Sequence, residues 1–189
     1  MSMEGQEVQV DEAQIKKDAY SVWGLPPEDV RDRLKKLMAI LRSEFGGPEF
    51  EPHVTVVGAI SLTEHEARGK FRAACEGLKA YGASVEKVAT GQCVFLLLHP
   101  TAEVMEARKH CTRHFGYKNS TAYMPHLNLL YGDLTEEEKK KAQEKAESLD
   151  QSISSLSFQI TRLALYKTET GDKTCKSWEK MADCNLDPN

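Results

Sequence analysis

Pro52-His53-Val54-Thr55-Val56 and Pro125-His126-Leu127-Asn128-Leu129 are two versions of one phrase, and their relation decides how the chain is read. Each runs proline, histidine, apolar, short polar, apolar. Each is followed by a helix-opening signal, Ser61-Leu-Thr-Glu-His-Glu66 in the first copy and Asp133-Leu-Thr-Glu-Glu-Glu138 in the second. A Thr with Glu three residues on is the capping box that starts an α-helix. The distance from His to capping Thr differs by one residue between copies. A strand-plus-helix unit repeated in this way predicts two lobes related by a pseudo-twofold axis.

Alternation then places the side chains. In a strand, every second residue shares a face. His53 and Thr55 point one way while Val54 and Val56 point the other, and His126 and Asn128 stand likewise against Leu127 and Leu129. With the apolar residues turned to each lobe's core, the polar pairs line the groove between lobes, and two imidazoles face each other. That pairing suits attack on a phosphodiester. A neutral imidazole takes a proton from water and a protonated one delivers a proton to the leaving oxygen. An ordinary His pKa of about 6.5 makes both forms available near neutrality. The Thr55 hydroxyl and Asn128 amide are placed to donate to oxygens where charge develops. A single strand His is more often a satisfied polar residue than a catalyst; two in matched contexts, about seventy residues apart, are harder to assign to accident. A metal fits less well, because His-x-Thr offers one ligand where His-x-His offers two, and no carboxylate recurs at matching offset.

Outward from these motifs the elements alternate. Residues 1–17 are polar with weak periodicity and are expected to be a disordered tail, leaving 18–189 as one bilobal domain. Tyr20–Leu25 reads as a strand ended by Pro26-Pro27. A helix follows with Val30, Leu34, Leu37, Met38, Leu41 and Phe45 on one face, stopped at Gly46-Gly47-Pro48. His53–Ile60 is a strand, and the helix capped by Thr63 runs to Leu78. Ala83–Ala89 and Cys93–Leu98 form a hairpin around Gly91. Ala102–Phe115 is a helix, His126–Tyr131 a strand, and the helix capped by Thr135 reaches Leu149. Ser157–Thr168 and Ser177–Leu186 are expected as strands around Gly171-Asp172. The order predicts an α+β fold with two pseudo-symmetric lobes, each an antiparallel-rich sheet with outer helices.

Composition narrows the function. The chain is 40% hydrophobic and 29% charged, an ordinary globular balance, with a net charge of −4. Grip on a nucleic-acid polymer usually needs a basic excess, so stable polymer binding is not expected. A small anion needs only a local positive site. The longest apolar run, Cys93-Val-Phe-Leu-Leu-Leu98, is too short to span a membrane, and the acidic start Met1-Ser-Met-Glu4 is neither a secretory signal nor a transit peptide. A cytoplasmic, monomeric protein is expected. Five cysteines without a Cys-x-x-Cys argue against a zinc knuckle or redox pair. They read as buried thiols, with one disulfide left open as an alternative. Among other residues, Trp23 reads as core or cleft wall, with base stacking the rarer alternative. His65 and His99 read as solvated or loop positions. His110, Cys111 and His114 share one helix without a second ligand pair. Lys139-Lys-Lys141 reads as a solvated face with i,i+4 ion pairs.

His53-Val-Thr-Val56 and His126-Leu-Asn-Leu129 resemble the paired His-x-Thr/Ser-x signature of the two-histidine (2H) phosphoesterase superfamily. Tyr20-Ser-Val-Trp23, Phe50-x-Pro-His-Val-Thr-Val56, Cys93–Leu98, Tyr123-Met-Pro-His126 and Asn185-Leu186 are similar to its plant cyclic phosphodiesterases, and the likeness runs from about Lys17 to the C-terminus. The resemblance implies a bilobal fold with a water-filled cleft, no cofactor and no metal. It implies hydrolysis of ADP-ribose 1″,2″-cyclic phosphate to the 1″-phosphate after tRNA splicing, and of nucleoside 2′,3′-cyclic phosphates to 2′-phosphates. It makes His53 and His126 the catalytic pair, Thr55 a phosphate-binding hydrogen-bond donor, and Tyr131 a residue that approaches substrate. Tyr131, five residues after His126, falls nominally on the opposite face, so the strand must twist or end there. Asn128 departs from the family's Ser or Thr; it either supplies an amide donor in place of the hydroxyl or weakens turnover. The alternatives within the fold are a nucleotide-binding module with little turnover and an enzyme processing RNA ends.

Overall fold

The computed structural model describes residues 16–119 and 121–188. Over these residues the chain runs β1 (Lys17–Leu25), α1 (Glu28–Phe45), β2 (Val54–Thr63), α2 (Glu64–Cys75), β3 (Tyr81–Thr90), β4 (Val94–Leu98), α3 (Ala102–Phe115), β5 (His126–Leu130), α4 (Glu136–Leu149), β6 (Ser157–Ile160), β7 (Arg162–Lys167) and β8 (Glu179–Asn185). The expected tail lies, up to residue 15, outside the described residues, and β1 opens at Lys17.

The strands are ordered β6-β3-β4-β5-β2-β1-β7-β8, and their ladders are antiparallel. Where two sheets were expected there is one, but its waist is narrow. β2 and β5 join through a single registered pair, Val54 with Leu127. Each is the residue directly after a motif histidine. On either side stand β1-α1-β2-α2 and β4-α3-β5-α4, the same succession twice, so the sequence echo becomes a repeat about that pair.

Local chemistry explains the helices that frame it. Both capping boxes form. Thr63 Oγ1 accepts from the Glu66 amide at 3.2 Å while Glu66 Oε1 accepts from the Thr63 amide at 3.2 Å. Thr135 and Glu138 repeat the exchange at 3.1 Å. Such a cap contributes about 1 kcal/mol. α1 carries Glu28 and Asp29 against its positive end and buries Leu34, Leu37, Met38 and Leu41. Those leucines share one apolar cluster with Val54, Val56, Leu127 and Leu129, and with Phe71 of α2 and Val104 of α3. The core therefore lies on the helix side of the sheet. The opposite face carries a separate small cluster, Trp23, Leu25 and Ala164.

Several expectations are corrected. Ser157–Thr168 is two strands, not one: β6 pairs with β3 and β7 pairs with β1, the chain crossing between halves at Thr161. Because Ile160 and Leu163 are both buried, the apolar pattern runs on across the break. α2 stops at Cys75, ahead of the left-handed Gly77, instead of reaching Leu78. Lys139 is not solvated. It is 8% exposed, and its ammonium donates to the Gly91 carbonyl at 2.7 Å and to Glu136 at 3.0 Å, tying α4 to the β3–β4 turn. Of the cysteines, Cys75 and Cys184 form a disulfide that fastens the end of α2 to β8, while Cys93, Cys111 and Cys175 are free thiols. No helix of the described residues is long and apolar enough to cross a membrane.

Candidate active site

The Val54–Leu127 pair positions the motif side chains. In an antiparallel pair, residues one step away on each strand also stand opposite each other. His53 thus faces Asn128, Thr55 faces His126, and all four project from the face opposite the core. The two histidines are diagonal neighbours across the strands, at backbone positions about 7–8 Å apart.

The rings are held alike. His53 Nδ1 lies 2.6 Å from the Glu51 carbonyl and His126 Nδ1 lies 2.7 Å from the Met124 carbonyl. A carbonyl only accepts, so each Nδ1 carries the proton and each Nε2 is left to do chemistry. In both motifs the anchoring carbonyl is two residues before the histidine, across the proline.

Their environments differ. His53 is 4% exposed, and its ring lies flat on Trp23, with centroids 3.4 Å apart and planes 7° apart. Tyr166 covers the other face of the indole at 3.7 Å. Trp23 therefore has no face left for a base, and serves as a wall that fixes the imidazole. Burial pushes the His53 pKa down to about 4, the Glu51 carbonyl opposes that shift, and the charge of nearby His126 adds to it. His126 is half-buried, with Phe95 edge-on at 5.3 Å.

The neutrality of His53 has a consequence for folding. The unfolded chain protonates this residue near pH 6.5, whereas the folded chain resists until about pH 4. Between those values the unfolded state binds more protons, so stability rises with pH and is lost as pH falls. The expected loss at pH 4 is on the order of 3 kcal/mol. Urea midpoints at pH 4 and pH 7 for the native protein and for His53→Gln would show it; an equal pH drop in both would overturn it.

Asn128 and Tyr131 act together. The Asn128 Nδ2 donates to the Tyr131 hydroxyl at 2.5 Å, and its Oδ1 accepts from the Cys93 thiol at 3.0 Å. β5 ends at Leu130, which releases Tyr131 from strand alternation and lets it turn back to the face of Asn128. Burial, then the thiols of Cys93 and Cys175, push its phenol well up, so it stays a proton donor. Gly47 secures this corner. At a φ of +103 it sits where an added Cβ would collide with the Tyr131 carbonyl oxygen. Only glycine tolerates both conditions.

His126, Asn128 and Tyr131 open into a cleft of about 1330 Å³, closed on one side by the β7–β8 loop that carries Lys173, Cys175 and Trp178. Asp172 builds that loop. Its carboxylate accepts from the amides and hydroxyls of Thr174 and Ser177, and these bonds hold it well below the usual carboxylate range. Thr55 and His53 are not among the residues lining this cleft; Thr55 is half-buried, and Tyr123 donates to its carbonyl at 2.8 Å. Elsewhere, His110 meets the Ala74 carbonyl at 2.8 Å with the His114 ring 4.6 Å away, and His65 is exposed. Among the described residues no group of three or more His, Cys, Asp or Glu is placed to hold a metal ion.

Sequence reading did not find Cys93 or Tyr166 in this site. Cys93 directly precedes β4 and Tyr166 lies on β7, and only the cross-strand register brings them to the motif residues. Alternation could have flagged Tyr166 as sharing a face with Ala164, but not with Trp23.

Comparison with known proteins places the chain in a family. Residues 26–172 match the family model of the 2'-5' RNA ligase superfamily. A cyclic phosphodiesterase of Arabidopsis thaliana is 59% identical over 179 residues, 93% of this chain and 99% of that protein. A cyclic phosphodiesterase of Triticum aestivum is 33% identical over 94 residues, half of this chain and 94% of that protein. Among solved structures, LigT of E. coli in its apo form superposes with a TM-score of 0.61 over 91% of this chain and 99% of that one, at 10% identity, a likeness of fold. With its motif histidines set beside the Val54–Leu127 pairing, this chain belongs to the 2'-5' RNA ligase superfamily, the two-histidine phosphoesterases.

Proposed function

We propose that the protein is a cyclic phosphodiesterase. It opens ADP-ribose 1″,2″-cyclic phosphate to the 1″-phosphate and nucleoside 2′,3′-cyclic phosphates to 2′-phosphates, by acid–base catalysis without a metal. The observation that carries this reading is the pair of imidazoles flanking the Val54–Leu127 contact, each pinned through Nδ1 with Nε2 free.

The environments divide the labour. His53, held neutral by burial, is the general base. Its Nε2 takes a proton from water as the water oxygen bonds to phosphorus. His126 is the acid; its Nε2–H passes to the departing ribose oxygen, the 3′ oxygen of a 2′,3′-cyclic phosphate, as that P–O bond breaks. Thr55 and Tyr131 donate hydroxyl protons to the non-bridging oxygens, and Asn128 holds the phenol oxygen so that its O–H points outward.

Asn128 is then an outer support rather than the hydroxyl donor of its relatives. Asn128→Ser should change kcat by under about tenfold, against the ~10²–10³ that accompanies loss of an oxyanion donor. A much larger gain on introducing Ser would instead favour a binding module in which Asn128 suppresses turnover. The function itself is tested by following cytidine 2′,3′-cyclic phosphate in excess EDTA and identifying the product by chromatography. Undiminished conversion to the 2′-phosphate is expected. Dependence on added metal, or a 3′-phosphate product, would remove the mechanism.

A further inference from the structure

Beyond the Trp23–His53 stack lies a second cavity, of about 600 Å³. It adjoins the catalytic cleft, since Glu49, Cys175 and Trp178 border both. Their charges are opposite. The cleft is lined by four carboxylates, Glu49, Asp133, Glu138 and Asp172, against Lys173 and Lys176. The second cavity is lined by four cations, Lys35, Lys36, Arg42 and Lys180, against Glu49 and Glu51. A local excess of positive charge in a chain of net charge −4 is unusual enough to need a reason.

The cations are incompletely neutralised. Lys35 pairs with Glu51 at 3.1 Å, but Arg42 reaches Glu49 only at 3.9 Å, Lys180 turns to Asp183, and Lys36 has no ion pair among the described residues. The remaining wall is aromatic. Tyr166 and Trp178 line the cavity and are each half-buried. Cations beside open aromatic surface suit a ligand that carries phosphate next to a base.

The two cavities set requirements on one substrate. A bare mononucleotide puts its only phosphate between the histidines and has nothing for the second cavity. A diphosphate placed in the carboxylate-lined cleft is repelled, and across the border it meets four cations. We propose that the second cavity binds the nucleoside diphosphate arm of the substrate, making Lys36 and Lys180 specificity residues that favour diphosphate-bearing cyclic phosphates over mononucleotide ones. This assignment rests on the cyclic phosphodiesterase reading for its substrate, and on the cavity alone for its ligand.

The test uses one ratio and one binding measurement. Lys36→Glu with Lys180→Glu should lower kcat/KM for ADP-ribose 1″,2″-cyclic phosphate relative to cytidine 2′,3′-cyclic phosphate by about tenfold or more, mostly through KM, since hydrogen bonds to charged groups are the strong ones. Lys140→Glu, the same charge change on exposed α4, should leave the ratio unchanged. Calorimetric titration of ADP into His126→Ala protein should show binding that the double variant weakens by a similar factor. An unchanged ratio, or no ADP binding, overturns the assignment. Lysine-dependent ADP binding in a protein that hydrolyses neither substrate would sustain the cavity and sink the hydrolase reading.

Discussion

His126→Ala should lower kcat for cytidine 2′,3′-cyclic phosphate by about 10²–10⁴-fold, the usual contribution of a positioned acid or base. Stability should hardly move, because the ring is half-buried and its one hydrogen bond is to a neighbouring carbonyl. His53→Ala should cost as much in kcat and also destabilise, since it empties a buried slot beside Trp23. The contrast separates the two roles. In the native protein the pH profile should be bell-shaped, its acidic limb set low by a base that protonates near 4 in the free protein. Both limbs belong to the coupled pair rather than to single residues. Full activity in His126→Ala would end the assignment of the site.

Cys75→Ser should destabilise the fold by about 2–5 kcal/mol, among the largest effects available to one substitution outside the core. The Cys75–Cys184 bridge closes a loop of 109 residues, and constraining so long a segment removes much of the freedom of the unfolded chain. It also fastens β8, which ends the sheet order and pairs only with β7 among the named strands. Neither cysteine lines the catalytic cleft or the second cavity, so kcat at moderate temperature should persist. A urea titration with and without dithiothreitol reads the effect. Reductant should lower the midpoint of the native protein to that of the variant. Identical midpoints for oxidised native protein and variant would remove the bridge from the account of stability.

The bridge shows where the sequence stops being informative. Five irregularly spaced cysteines left one disulfide open as an alternative, without naming its partners, because sequence spacing carries no information on which Cα atoms approach. The same holds for Lys139. As a letter in a charged run it belongs to solvent, and only the nearby Gly91 carbonyl makes its burial tolerable.

What the chain determined by itself is whatever depends on a few adjacent residues. The capping Thr63 and Thr135, the span of α3 and the side of the strand taken by each motif residue all follow from rules with a reach of one to five positions. Tertiary structure decided the rest. It joined the two motifs at Val54 and Leu127, stacked Trp23 between His53 and Tyr166, bound Asn128 to Cys93, and sent β6 and β7 to opposite halves. Each of these contacts closes a long loop, and whether that loss of freedom is offset depends on everything else that packs at the same time. The distribution of charge between the two cavities is of this kind too, since it is assembled from side chains of α1, α4, β8 and three loops.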